Sequence, residues 1–192
     1  MKKLISLTLS AALCLGLFVG CGKQNAPAAT ETTAPAYASS LEVLEKVWAT
    51  FPEEDRFPAA GGDEAHDTTD GPGAFDINAY GESFRYQTLV DENLTGKLTG
   101  DAATLIHMMN TNTFCSAVME LKNAGEASSF AEIYKEIVQG NHWMCGFPDT
   151  LVVLNLGNFV LTAYGADDLI QLFKNGAQSL GATLLVEAPA EA

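Results

Sequence analysis

Leu151-Val152-Val153-Leu154-Asn155-Leu156-Gly157-Asn158-Phe159-Val160-Leu161-Thr162-Ala163-Tyr164 sets two β-rich runs on either side of a two-residue Gly-Asn. Glycine takes positive φ without steric cost, so this spacing predicts a hairpin closed by a primed turn. Downstream, Asp167 or Asp168 starts a helix through Leu169, Ile170, Leu172 and Phe173, and Gly181 ends it. Ala182 to Val186 then reads as a last strand. Residues 188–192 read as a disordered tail.

Upstream, Ser128 or Ser129 caps a helix whose apolar face is Phe130, Ile133, Ile137 and Val138, with Gly140 as its stop. Thr113 to Leu121 is rich in β-type residues and precedes a turn at Asn123-Ala124-Gly125, which gives a strand or else a continued helix. Residues 113–187 therefore run strand, helix, strand, strand, helix, strand. That is the split βαβ, ferredoxin-like order. The expected fold class is α+β, an antiparallel sheet with its helices on one face, completed by an N-terminal amphipathic helix. Such a fold hosts many unrelated functions and licenses no activity.

The first half is less regular. Ser39 and Glu42 form a capping box, and Leu41, Leu44, Val47, Trp48 and Phe51 recur at helical spacing up to Pro52, so a helix is predicted over 40–51. Residues 53–73 read as an acidic, solvated loop. Its Asp63-Glu64-Ala65-His66-Asp67-Thr68-Thr69-Asp70 offers oxygen ligands without the EF-hand spacing. Phe75 to Gly100 suggests a short helix or an irregular ribbon. Asp101 is placed to cap a short helix through Ala102, Leu105, Ile106 and Met109.

The N-terminus gives an address. Lys2-Lys3 precedes an apolar run ending in Leu17-Phe18-Val19-Gly20-Cys21, a lipobox. Residues 1–20 are expected to be a signal peptide, and Cys21 the lipidated first residue of the mature chain, since its thiol takes the diacylglyceryl group. Two acyl chains hold where one binds only reversibly. Residues 21–38, with Pro27 and Pro35, form a flexible tether spanning roughly 20–25 Å as a coil. Residues 39–187 make a single domain on the outer, extracytoplasmic face of the cell membrane.

With 24 acidic against 10 basic residues and a formal charge of −14, the chain is repelled by nucleic acid. No cofactor is implied. Cys115 and Cys145 remain once Cys14 leaves with the signal and Cys21 carries lipid. An oxidising compartment allows them to pair, and two free thiols are the alternative.

Asn141-His142-Trp143-Met144-Cys145-Gly146-Phe147-Pro148 is the sharpest chemical cluster. It has a thioredoxin flavour, yet Pro148 stands where the second cysteine belongs. His142, Trp143 and Phe147 are the candidate ligand or partner surface. His107, His142, Cys115 and Cys145, with Met108, Met109, Met119 and Met144, would be the donors of a soft-metal site. There is no nucleophile elbow and no Gly-rich phosphate loop.

His107 to Met109, Asn112 to Phe114 and Trp143 to Asp149, together with the lipobox, resemble a family of short lipoproteins from Gram-positive gut bacteria. Some of its members carry the label bacteriocin transport accessory protein. The resemblance covers roughly the C-terminal half and implies an accessory role at the envelope; it supplies no catalytic residues. The function expected is a surface-anchored, non-catalytic binding or accessory module whose partner is an envelope or export protein. Thiol–disulfide chemistry at Cys145 with Cys115 as resolving partner is the alternative, and a metal-binding lipoprotein the further one.

Overall fold

The structure, a computed structural model, describes residues 37–191; the signal segment, Cys21 and most of the tether lie outside them. The elements are α1 (Ser40–Ala49), β1 (Ala59–Gly61), β2 (Thr68–Thr69), β3 (Gly73–Asp76), α2 (Ile77–Thr88), α3 (Glu92–Thr95), β4 (Leu98–His107) and β5 (Phe114–Leu121). Then come α4 (Ala127–Gln139), β6 (Thr150–Leu156), β7 (Phe159–Gly165), α5 (Asp167–Ser179) and β8 (Thr183–Pro189). All strands join one antiparallel sheet in the order β2-β1-β4-β5-β7-β6-β8, with β3 also on β4. The α+β class and the strand–helix order over 113–187 are as expected. No helix among the described residues is long and apolar enough to cross a membrane.

The hairpin forms as read, with β6 and β7 paired from Thr150↔Gly165 to Leu156↔Phe159. Gly157 has φ +63° while Asn158 does not, which makes the turn type II′. Ser39 caps α1 through Oγ, accepting from the Glu42 amide at 3.2 Å. Glu42 reaches back one residue further than a simple capping box requires, accepting from the Ala38 amide at 2.8 Å.

The expectation of helices on one face is corrected, and a single strand explains why. Residues 98–107 are β4, not a helix capped by Asp101, and β4 pairs with β5 along the edge that a ferredoxin-like last strand would occupy. β8 therefore pairs on the far side of β6. The β5–α4–β6 and β7–α5–β8 crossovers step the same way along the sheet, but they start from strands of opposite direction. Right-handed connections then put α4 and α5 on opposite faces. The two cores show it. One joins Phe84 of α2, Leu94 of α3 and Phe130, Tyr134 and Val138 of α4 to Cys115, Ala117 and Met119 of β5. The other joins Val43, Val47 and Trp48 of α1 and Ile170 and Phe173 of α5 to Phe114 and Val118 of the same strand. Antiparallel sheets usually leave one face wet, but here both are covered, so every residue of β7 is buried.

Two further expectations are corrected. The acidic segment 53–73 is not a solvated loop throughout, because it carries β1 and β2 and leads into β3. Gly61 and Gly73 meet so closely there that a Cβ on Gly61 would lie 2.2 Å from the Thr104 carbonyl and 2.4 Å from the Gly73 nitrogen. Nor are residues 188–190 part of a disordered tail, since β8 continues to Pro189 and Ala190 is fully buried, its amide donating to the Asp149 carbonyl at 3.0 Å. Glu187 stays in the strand by accepting from Lys174 Nζ at 2.6 Å and Gln171 Nε2 at 3.1 Å. Those two donors hold its carboxyl below the usual range.

Candidate functional site

The antiparallel pairing of β4, β5, β6 and β7 brings two connections together at one end of the sheet. Met108 to Thr113 joins β4 to β5, and Gly140 to Asp149 joins α4 to β6. Asn110-Thr111-Asn112-Thr113 is a run of residues whose side chains favour turns over strand. Their amides tie the two loops. Asn110 Nδ2 donates to the Cys145 carbonyl at 2.9 Å, and Asn112 Nδ2 donates to the Met144 and Gly146 carbonyls at 3.0 Å each. Asn112 is itself set by its backbone amide, which donates to Asn110 Oδ1 at 3.0 Å. These ties hold a turn in which Cys145 has φ +63° and Gly146 φ +139°. A non-glycine residue at positive φ costs about 1–3 kcal/mol and persists only where its surroundings fix it.

The clamped loops display large apolar side chains to solvent. Met109 and Met144 are each 78% exposed, Phe147 67% and Met108 47%. Methionine is common on surfaces that adapt to partners, because its thioether chain repacks at little cost. Beneath them, Phe57 stacks on His107 with ring centroids 5.2 Å apart. Trp143 lies against Tyr164, also at 5.2 Å, and its buried Nε1 has no hydrogen-bond partner.

Of the anticipated partner residues, Phe147 and His142 are exposed and Trp143 is half-buried, joined to the core by its ring face. Of the two alternatives for the cysteines, the structure has them free rather than paired, Cys145 exposed and Cys115 buried. The reason is direction. Cys115 points into the core on the α4 side, where its Sγ lies 3.2 Å from the Gln87 carbonyl. Tyr164, its cross-strand partner, donates to the same carbonyl from Oη at 3.2 Å. Burial pushes the Cys115 thiol up to about 12, with the Tyr164 hydroxyl only partly offsetting it. Such a thiol is not a nucleophile at neutral pH.

In the native protein, iodoacetamide is expected to modify Cys145 and spare Cys115, with Cys115 reacting only on unfolding. Mass spectrometry of the alkylated chain checks this, and equal labelling of both in the folded state would overturn the assignment.

Among the described residues no three His, Cys, Asp or Glu side chains converge as metal donors. Asp63, at the head of the acidic run, turns inward and spends both carboxylate oxygens on its own segment. The 141–148 connection is legible in the sequence, whereas the β4–β5 loop is hidden by the helix expected through Met109, and with it Asn110 as the pin between the two. The Asn/Thr run after β4 was the available signal.

Fold and loops together define a three-layer α+β domain that presents a rigid apolar rim at one end of its sheet. Comparison with protein-family models, with curated proteins and with solved structures found no match to the chain.

Proposed function

We propose that the protein is a lipid-anchored, extracytoplasmic binding module that uses the rim of Met108, Met109, Met144 and Phe147 to dock an envelope or export protein. The observation that carries this reading is the exposure of four large apolar side chains on loops held rigid by Asn110 and Asn112. Large apolar side chains gathered on two tied loops are the kind of surface that marks an interaction site. Rigid loops also lose less entropy on binding. The lipobox supports the location, because an anchor on Cys21 and a short tether would keep the rim near the membrane surface. A thiol–disulfide role has less support, since its resolving partner would be the buried Cys115.

A photo-crosslinking side chain at Met109 or Met144, in the full chain expressed in its own membrane, is expected to give one discrete protein adduct. The same group at Glu45, exposed on α1, is expected to give none. With Cys21→Ser the chain should leave the membrane and the rim adduct should disappear. Identical adducts from the rim and from Glu45, or none from the rim, would sink the proposal.

A further inference from the structure

A second concavity, separate from the rim, lies between α2 and α3. It is an open cleft of about 550 Å³, within the size range of small-molecule sites. Its position follows from a break in α2. Tyr80 has φ −126° and ψ 32°, which splits the helix, and Gly81 beside it offers no side chain to fill the space. The walls carry Glu82 and Arg85 from α2 and Asp91 and Glu92 from the start of α3, with the buried Val90 among the apolar lining.

The charged side chains of this cleft do not form ion pairs with one another. Among the described residues Arg85 makes no ion pair, although three carboxylates line the same cleft. Its guanidinium rests on the Tyr86 ring, 5.1 Å from the centroid, a stacking that orients the planar group. Asp91 is committed, with Oδ1 capping α3 by accepting from the Leu94 amide at 3.1 Å and Oδ2 accepting from Asn93 Nδ2 at 3.0 Å. Glu82 and Glu92 remain. Both are exposed, and opposite charges that line one cleft without meeting offer contacts at both ends to a molecule that carries both signs.

The geometry points to a binding site for a diamino monocarboxylate, the chemistry of a basic amino acid or of a short peptide ending in one. Arg85 takes the carboxylate, to which a guanidinium can bond bidentately. Glu82 and Glu92 take the two ammonium groups. Two unpaired carboxylates against one guanidinium favour this charge pattern over a simple anion, which three acidic side chains would repel.

The test uses the full chain and isothermal calorimetry with two probes, L-lysine and Gly-L-lysine, against L-lysinamide and L-norleucine as controls. Saturable binding of at least one lysine probe is expected, with both controls about tenfold weaker or worse, since each lacks one charge-assisted contact. The tighter of the two probes tells a free amino acid from a peptide end. Arg85→Gln should weaken binding about tenfold or more. Gly81→Leu should abolish it while the fold survives, because a Cβ at Gly81 meets nothing within 4 Å. No saturable binding of either lysine probe, or binding unchanged in both Arg85→Gln and Gly81→Leu, would overturn the assignment.

Discussion

Gly165→Ala is expected to destabilise the domain by about 2–6 kcal/mol, a large share of a typical stability of about 5–15 kcal/mol. Gly165 pairs with Phe114 of β5 on one side and with Thr150 of β6 on the other, so it is enclosed by backbone. Its φ is +154°, and a Cβ there would lie 2.3 Å from the Thr113 carbonyl oxygen and 2.9 Å from the Phe114 Cα. Neither neighbour can rotate away as a side chain would. Backbone strain of about 1–3 kcal/mol adds to an overpacking cost of about 1–3 kcal/mol. The damage also reaches the rim. The Gly165 carbonyl accepts from the Asp149 amide at 2.9 Å, and the Thr113 carbonyl accepts from the Ala166 amide at 2.9 Å, so both display loops are rooted at this residue. Gly157→Ala is the control. Gly157 also has positive φ but open space around it, and only the conformational cost of about 1–2 kcal/mol applies. Urea midpoints for the two variants should therefore differ clearly. Equal midpoints would mean that the junction of β5, β6 and β7 yields more easily than its geometry implies.

The same junction shows why part of the fold could be read from sequence and part could not. The β6–β7 hairpin was legible because its turn is local: a Gly-Asn between two apolar runs needs no distant partner. The uninterrupted character of those runs also held the news that both faces are buried. β4 was hidden by that effect. Its Ala102, Ala103, Thr104 and Leu105 are all buried, so the alternation that marks a half-buried strand is erased. Ala102, Leu105 and Ile106 then mimic a helical stripe. Asp101 is a helix-capping residue after all, but of a helix 61 positions away, where its Oδ2 accepts from the Ser40 amide at 2.7 Å. Without β4 the free edge of β5 looked open, and the single-faced arrangement followed. At the rim, Phe147 and His142 announced themselves by residue type. The ties from Asn110 and Asn112 are tertiary and leave only a turn-like composition as their trace.

Asp63→Ala is expected to cost about 3 kcal/mol at neutral pH, and the cost should shrink in acid. The Asp63 side chain is wholly buried. Oδ2 accepts from the Asp76 amide at 2.8 Å; Oδ1 accepts from the amides of Ala65 at 2.9 Å and His66 at 3.0 Å and lies 2.8 Å from His66 Nδ1. One carboxylate thus fastens the connection between β1 and β3, and alanine would strip the Asp76 and Ala65 amides of this acceptor, each worth about 1–3 kcal/mol where water cannot replace it, while the His66 amide keeps the Asp63 backbone carbonyl at 3.1 Å. Burial by itself would raise this carboxyl. The Asp76 amide, the His66 ring and the Ala65 amide together outweigh it and hold the group below its ordinary value of 3.8. A carboxyl lowered by folding contributes stability above its unfolded value, and that contribution is lost as pH falls through the lowered folded value. Between pH 7 and 5 the denaturation midpoints of wild type and Asp63→Ala should therefore run parallel. Below 3.8 they should converge as the wild-type carboxylate takes up its proton. Asp63→Asn separates charge from shape, because its amide keeps one acceptor oxygen but turns a donor toward the Asp76 N–H. It should fall between wild type and alanine at pH 7 and lack the acid-side convergence. A wild-type to alanine gap that stayed constant down to pH 2 would show that packing, not the carboxylate, holds β1 against β3.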